Sequence, residues 1–164
     1  MNPTESGARP RLTAELVPST CWWSNLRSNT PRSQWAKCQA FVRTRSGDRC
    51  EVCGGRGPQW PVECHEVWGY DDTTHVQTLT GLIALCPACH EVKHIGRASA
   101  IGNLAPALSH LMAVNGWTGD QATDYLDGVW DTWRARSKHQ WTLDVSWLGT
   151  IGINIPPITD RPGH

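Results

Sequence analysis

Two CxxC pairs, Cys50-Glu51-Val52-Cys53 and Cys86-Pro87-Ala88-Cys89, constrain this chain more than any other feature. Thiolates at that spacing suit zinc, and two such knuckles complete a tetrahedral four-sulfur site with no open coordination position. The interval between the pairs is longer than in the commonest zinc ribbon, and an inserted β-hairpin accounts for the excess. Seven cysteines in 164 residues are clustered in knuckles, not scattered as a disulfide framework. A core this small buries little apolar surface, so bound zinc would form part of its folding energy. Reduced thiols imply a cytoplasmic setting. Cys21 and Cys38, among Trp22, Trp23 and Trp35, read as core thiols.

Local signals place the elements around this frame. Residues 1–18 lack periodicity and read as a flexible basic arm. A helix with Ser33 as N-cap and Trp35, Cys38, Phe41 and Val42 on one face runs to the turn at Ser46-Gly47-Asp48. Pro61 to Trp68 and Val76 to Leu85 read as paired strands. Pro87 suits the first turn of the next helix, where the N–H it lacks would have no partner. Pro106 to Val114 is helical and stops at Asn115-Gly116; Thr118 and Gln121 then cap a longer helix to about Lys138. Tyr125, Leu126, Val129, Trp130 and Trp133 form its buried stripe. Trp141, Leu143, Val145 and Trp147 alternate as a short strand, before a loose tail over 150–164. Residues 19–100 thus make a central domain, with 101–149 as a helical extension packed on or beside it.

His90 and His94 stand four residues apart on a predicted helix, so both imidazoles project from one face as a two-toothed metal ligand. His110, His139 and His164 have no partner at ligand spacing and read as packing or surface groups.

The order Cys50-x-x-Cys53, Cys64-His65 on a strand, then Leu85-Cys86-x-x-Cys89-His90 and His94 resembles the zinc-knuckle HNH endonuclease family over about residues 35–97. The resemblance implies an α+β fold, with a ββα-metal, treble-clef-like core in residues 19–100, a four-cysteine zinc knuckle and a helical C-terminal extension. It implies a metal-dependent DNA endonuclease that hydrolyses phosphodiester bonds and leaves a 5′-phosphate and a 3′-hydroxyl. His65 becomes the general base that activates water, a role a neutral imidazole with a pKa near ~6.5 can fill. His90 and His94 become ligands to one divalent metal, Mg2+, Mn2+, Ni2+ or Zn2+. Cys64 falls where an Asp or His ligand usually stands. It is either a third ligand, which would favour zinc, or a buried strand residue, since neighbours on a regular strand point to opposite faces. The family's central asparagine aligns with Gly81. The alternative is a catalytically weak or inactive HNH-fold zinc protein serving as a nucleic-acid-binding or adaptor module.

The formal net charge is zero, but residues 1–49 hold eight basic residues against three acidic ones. That distribution fits DNA as the partner, with phosphates met at the front of the chain. Arg49, Arg56, Lys93 and Arg97 flank the motif and are candidate phosphate contacts. Most of the ten tryptophans are packing residues, and the Trp-rich C-terminal helices are a candidate docking surface for a protein. No apolar run is long enough to cross a membrane, and no signal peptide opens the chain.

Overall fold

Gly47 stops the first long helix, α2 (Arg32–Ser46), by adopting a left-handed conformation (φ 61°) that glycine reaches without a Cβ penalty, and the chain turns directly into the first knuckle. The computed structural model describes residues 9–158. A 3-10 turn at Ser19–Ser24 and a short helix α1 (Leu26–Asn29) precede α2. After the knuckle come β1 (Glu63–Asp71), β2 (Val76–Leu85), α3 (Pro87–Lys93), α4 (Ile95–Ala100), α5 (Leu104–Asn115), α6 (Gly119–Arg136) and β3 (Thr142–Asp144). The fold is α+β with one small sheet, ordered β1-β2-β3, in which β2 runs antiparallel to β1 and parallel to β3. Helix α2 starts one residue after Pro31, so Ser33 lies inside it and does not cap it. The capping box on α6 is present in full, with Thr118 and Gln121 bonding each other reciprocally. The expected alternating strand after α6 shrinks to three residues, and Trp147 lies in a second 3-10 turn, Ser146–Ile151.

Register decides which side chains share a face. Glu63 pairs with Leu85, Cys64 with Ala84, His65 with Ile83 and Val67 with Gly81, but Trp68 pairs with Leu79, leaving Thr80 as the extra residue of a β-bulge. Side chains of directly paired residues lie on the same side of the sheet. Cys64, Glu66, Trp68 and Tyr70 therefore face one way, with Ala84, Leu82, Leu79 and Gln77, while Glu63 and His65 face the other.

Each side has its own core. Cys64, Leu79, Leu82 and Ala84 pack against Leu26, Cys38 and Val42, closed over by Leu148 and Ile153. The second core joins Leu85, Cys50, Cys86 and Cys89 to Val92, Ile95, Leu111 and Leu126 of the helices. Trp117 and Trp130 pack on its margin.

Both ends of the chain depart from expectation. Within the arm, Leu12 is fully buried in the helical core. Its backbone N–H and C=O are both taken by the side chain of Asn115, at 3.1 and 2.8 Å. Lys93, only 7% exposed, donates to Thr13 at 2.6 Å and to Glu15 at 3.0 Å, the pairing a buried ammonium requires. The partners of this segment lie far along the chain, so no local periodicity announces them. In the tail, Ile153 is buried and Ile155 and Ile158 pack beside it, so 150–158 is not loose. Residues 1–8 of the arm and 159–164 of the tail lie outside the described residues. Among the described residues no helix is long and apolar enough to cross a membrane.

The loop between the first knuckle and β1 is tightly packed at Gly57, whose N–H donates to the Pro61 carbonyl at 2.9 Å. A Cβ here would strike the Trp60 carbonyl and come within 2.6 Å of Pro87 Cδ. Gly57→Ala is expected to cost about 1–3 kcal/mol. It should appear as a lower urea midpoint at unchanged slope, and a wild-type midpoint would show that the loop yields freely.

Candidate metal centres

Cys50, Cys53, Cys86 and Cys89 bring their sulfurs within 4.8 Å of one another, close enough to bind a metal such as zinc. The first pair sits on a turn closed by Gly54 (φ 76°), and the second opens α3. Backbone amides approach the sulfurs, Cys53 N–H to Cys50 at 3.5 Å and Gly55 N–H to Cys53 at 3.4 Å. Cys50 is pulled down to about 4, chiefly by a hydrogen bond from Cys89, so the cluster favours a thiolate. Glu51, between the first two cysteines, ties the knuckle to β2: its carboxylate accepts from Ala84 N–H at 2.7 Å, and its own N–H donates to the Ala84 carbonyl at 2.9 Å. His110, expected as a packing or surface group, places Nε2 3.2 Å from the Cys89 sulfur and so supports the centre from α5. All seven cysteines are free of disulfides.

A second cluster lies across the sheet from the Cys64 core. His65 on β1, His90 on α3 and His94, at the junction of α3 and α4, gather their ring nitrogens within 4.8 Å of one another. The Nε2 atoms of His90 and His94 are 3.1 Å apart, and the His65 ring centroid is 5.2 Å from each of theirs. His65 is 8% exposed, and its Nε2 is buried with no hydrogen-bond partner. A buried polar atom left unpaired costs free energy and calls for a cause; converging imidazole nitrogens are the donor set of a divalent transition metal. Burial first, and then His90, His94 and Lys93, hold the His65 pKa down to about 2. His94, though open to solvent on one side, is lowered to about 4 by the protein around its ring and then by His90. Both rings therefore stay neutral at physiological pH, the state in which an imidazole nitrogen can bind a metal.

Glu63 supports this cluster and was not anticipated. One carboxylate oxygen is hydrogen-bonded to His90 Nδ1, which turns Nε2 toward the other two histidines. The other accepts from the Trp60 indole N–H at 2.9 Å. The signal was present in the sequence: residues i and i+2 of a strand share a face, so Glu63, not Cys64, accompanies His65.

Cys64 is not brought to the histidines. It is buried beside Cys38, Leu82 and Ala84, and burial above all, with Cys38 and Glu66 adding, pushes its thiol up to about 12. The bulge falls beyond Val67, too late to alter the alternation at Cys64. The expected phosphate contacts scatter as well. Lys93 is committed to Glu15 and is not free for a phosphate. Arg49 and Arg56 reach the carbonyls of Gly54 at 3.3 Å and Gly47 at 3.1 Å. Arg97 alone among the four lines the same cleft as the histidines. Gly81 shares the His65 face, and the space beside its Cα is open, so nothing at that position braces the histidines.

A cleft of about 1090 Å³ runs beside the edge strand β1 and opens onto His65, His90 and His94. The geometry thus provides a closed thiolate centre and, separately, an accessible three-nitrogen centre. Compared with family models, curated proteins and solved structures, the chain matches none of them.

Proposed function

We propose that the three-histidine cluster holds one divalent metal and that the protein is an HNH-type endonuclease, with β1, β2 and α3 as its ββα-metal core. The observation that carries this reading is the convergence of three imidazole nitrogens at the floor of an open cleft, on a His65 whose Nε2 is buried and unpartnered. The four thiols would hold a structural Zn2+. Free thiols suit a reducing compartment such as the cytoplasm.

His65, His90 and His94 would be the ligands of the second metal, and an all-imidazole set favours Zn2+ or Ni2+ over Mg2+. When bound, such an ion neutralises phosphate charge and stabilises the departing sugar oxygen. Glu63 fixes His90, and Arg97 lies where a phosphate would enter. His65 serves as a ligand on this reading, not as the general base, because a ring held neutral down to about pH 2 is a poor proton acceptor. Water adds across the bond between phosphorus and the 3′-oxygen, giving a 5′-phosphate and a 3′-hydroxyl. One observation favours the non-catalytic alternative, a binding or adaptor module: Gly81 offers no side chain where the family has asparagine.

Cutting of supercoiled plasmid and of single-stranded circular DNA, assayed side by side, decides between them. Zinc-loaded protein is given Mg2+, Mn2+, Ni2+ or Zn2+ in turn, beside the His90→Ala/His94→Ala double variant. Cutting by wild type and none by the variant is expected. Equal rates in the two proteins, or an inert wild type that still binds the second metal, would remove the hydrolase reading.

A further inference from the structure

The cleft is larger and more aromatic than a metal centre alone requires. Trp22 and Trp60 stand on its lining with 68% and 50% of their surfaces exposed, and Trp68 lies deeper within it. Exposed apolar side chains scattered singly are ordinary, but aromatic rings gathered along one concave cleft mark a place where a ligand can lie. Trp60 is also tied to the metal site: its indole N–H holds the carboxylate that orients His90. A flat ligand stacked on Trp60 would therefore lie beside the histidines.

Charge narrows the occupant. The carboxylates that line the cleft are engaged: Glu15 with Lys93, Glu63 with His90 and Trp60, and Glu66 with the Trp68 indole and the Arg27 amide. The guanidinium groups of Arg27 and Arg97, by contrast, make no ion pair among the described residues. Two uncommitted cations and two exposed indoles suit a ligand with alternating anionic and aromatic groups, which is a nucleotide chain. A base-paired strand has its base edges and faces occupied by its partner and neighbours, and its bases cannot reach the indoles without being unstacked. The buried position of His65 also requires the phosphate to enter the cleft.

We propose that this cleft takes an unpaired segment of DNA, with bases stacked on Trp22 and Trp60 and the backbone passing Arg27 and Arg97 to the histidine cluster. The substrate is then single-stranded or flapped DNA, not intact duplex. The placing of the phosphate rests on the hydrolase reading above; the stacking of the bases does not.

Fluorescence anisotropy of the full chain, zinc-loaded, with a labelled oligothymidylate tests it against the same label on a duplex. The single strand should bind at least about tenfold tighter. Trp22→Ala and Trp60→Ala should each weaken it about 5- to 150-fold, the range that base stacking spans. Trp60→Phe keeps a ring but loses the bond to Glu63, and should retain most of the affinity. Equal or tighter duplex binding, no binding of either, or alanine variants that bind like wild type would each overturn the proposal. Strand binding that depends on the tryptophans, without cutting under any metal, would sink the hydrolase reading and leave this one standing. Rapid cutting of duplex by both tryptophan variants would do the reverse.

Discussion

Cys89→Ser is expected to leave the chain largely unfolded, α5 and α6 included, although neither helix supplies a cysteine. Three of the four clustered cysteines, Cys50, Cys86 and Cys89, are themselves buried members of the helical core, and His110 of α5 rests on the Cys89 sulfur. Metal loss would leave several thiols crowded together, held only by weak sulfur hydrogen bonds such as the one Cys50 accepts from Cys89. Structural zinc contributes on the order of 10–16 kcal/mol in small zinc domains. Whole domains are stable by only about 5–15 kcal/mol, so this one centre matches the entire margin. Far-ultraviolet circular dichroism and zinc counting read the outcome: helix signal and bound zinc should fall together, and a strong chelator should reproduce the variant. Cys38→Ala, which removes a buried thiol outside the centre, should stay folded. A Cys89→Ser protein with wild-type helix content and melting would show that the hydrophobic cores suffice alone.

His65→Ala should do the opposite, keeping the fold and emptying the second site. The imidazole makes no hydrogen bond at Nε2, so its removal also removes an unsatisfied buried group, and the loss of packing is partly offset. If the three histidines hold a metal as proposed, losing one of them should weaken its binding by more than the 10- to 100-fold typical of losing a supporting residue such as Glu63. Cobalt substitution separates the two centres, because thiolate and imidazole ligands give different visible spectra. The four-sulfur signature should persist in His65→Ala while the imidazole site fails to fill, and nicking should be lost with it. If His65 were the general base, both sites would fill and only cleavage would fall.

What the sequence made legible was local. The CxxC spacing, Pro87 at a helix start, the Thr118–Gln121 box and the glycines at 47 and 116 act within a few residues of themselves, and each marks its element boundary as expected. The four-residue spacing of the histidine pair was legible for the same reason, although α3 ends at Lys93 and His94 stands at the bend into α4. Of the two readings open for Cys64, the buried strand residue holds, because the twofold alternation of the strand assigns Glu63 and His65 to the other side. The docking of Leu12 on Asn115, of Lys93 on Glu15 and of His110 on Cys89 was hidden, because such contacts join segments whose local patterns carry no trace of each other. The two exposed tryptophans were invisible too, since composition counts indoles and does not say which remain uncovered.

The contacts of the first strand of chain, residues 9–18, carry a temporal meaning. Leu12 bonds a residue 103 positions later, Ala14 one 111 positions later, and Val17 one 116 positions later. During synthesis, therefore, residues 9–18 wait for partners, Asn115, Tyr125 and Trp133, that are made only after both knuckles and the histidine cluster. The cysteine cluster is thus complete before the helices close over it, and residues 9–18 find their places only after most of α6 is made.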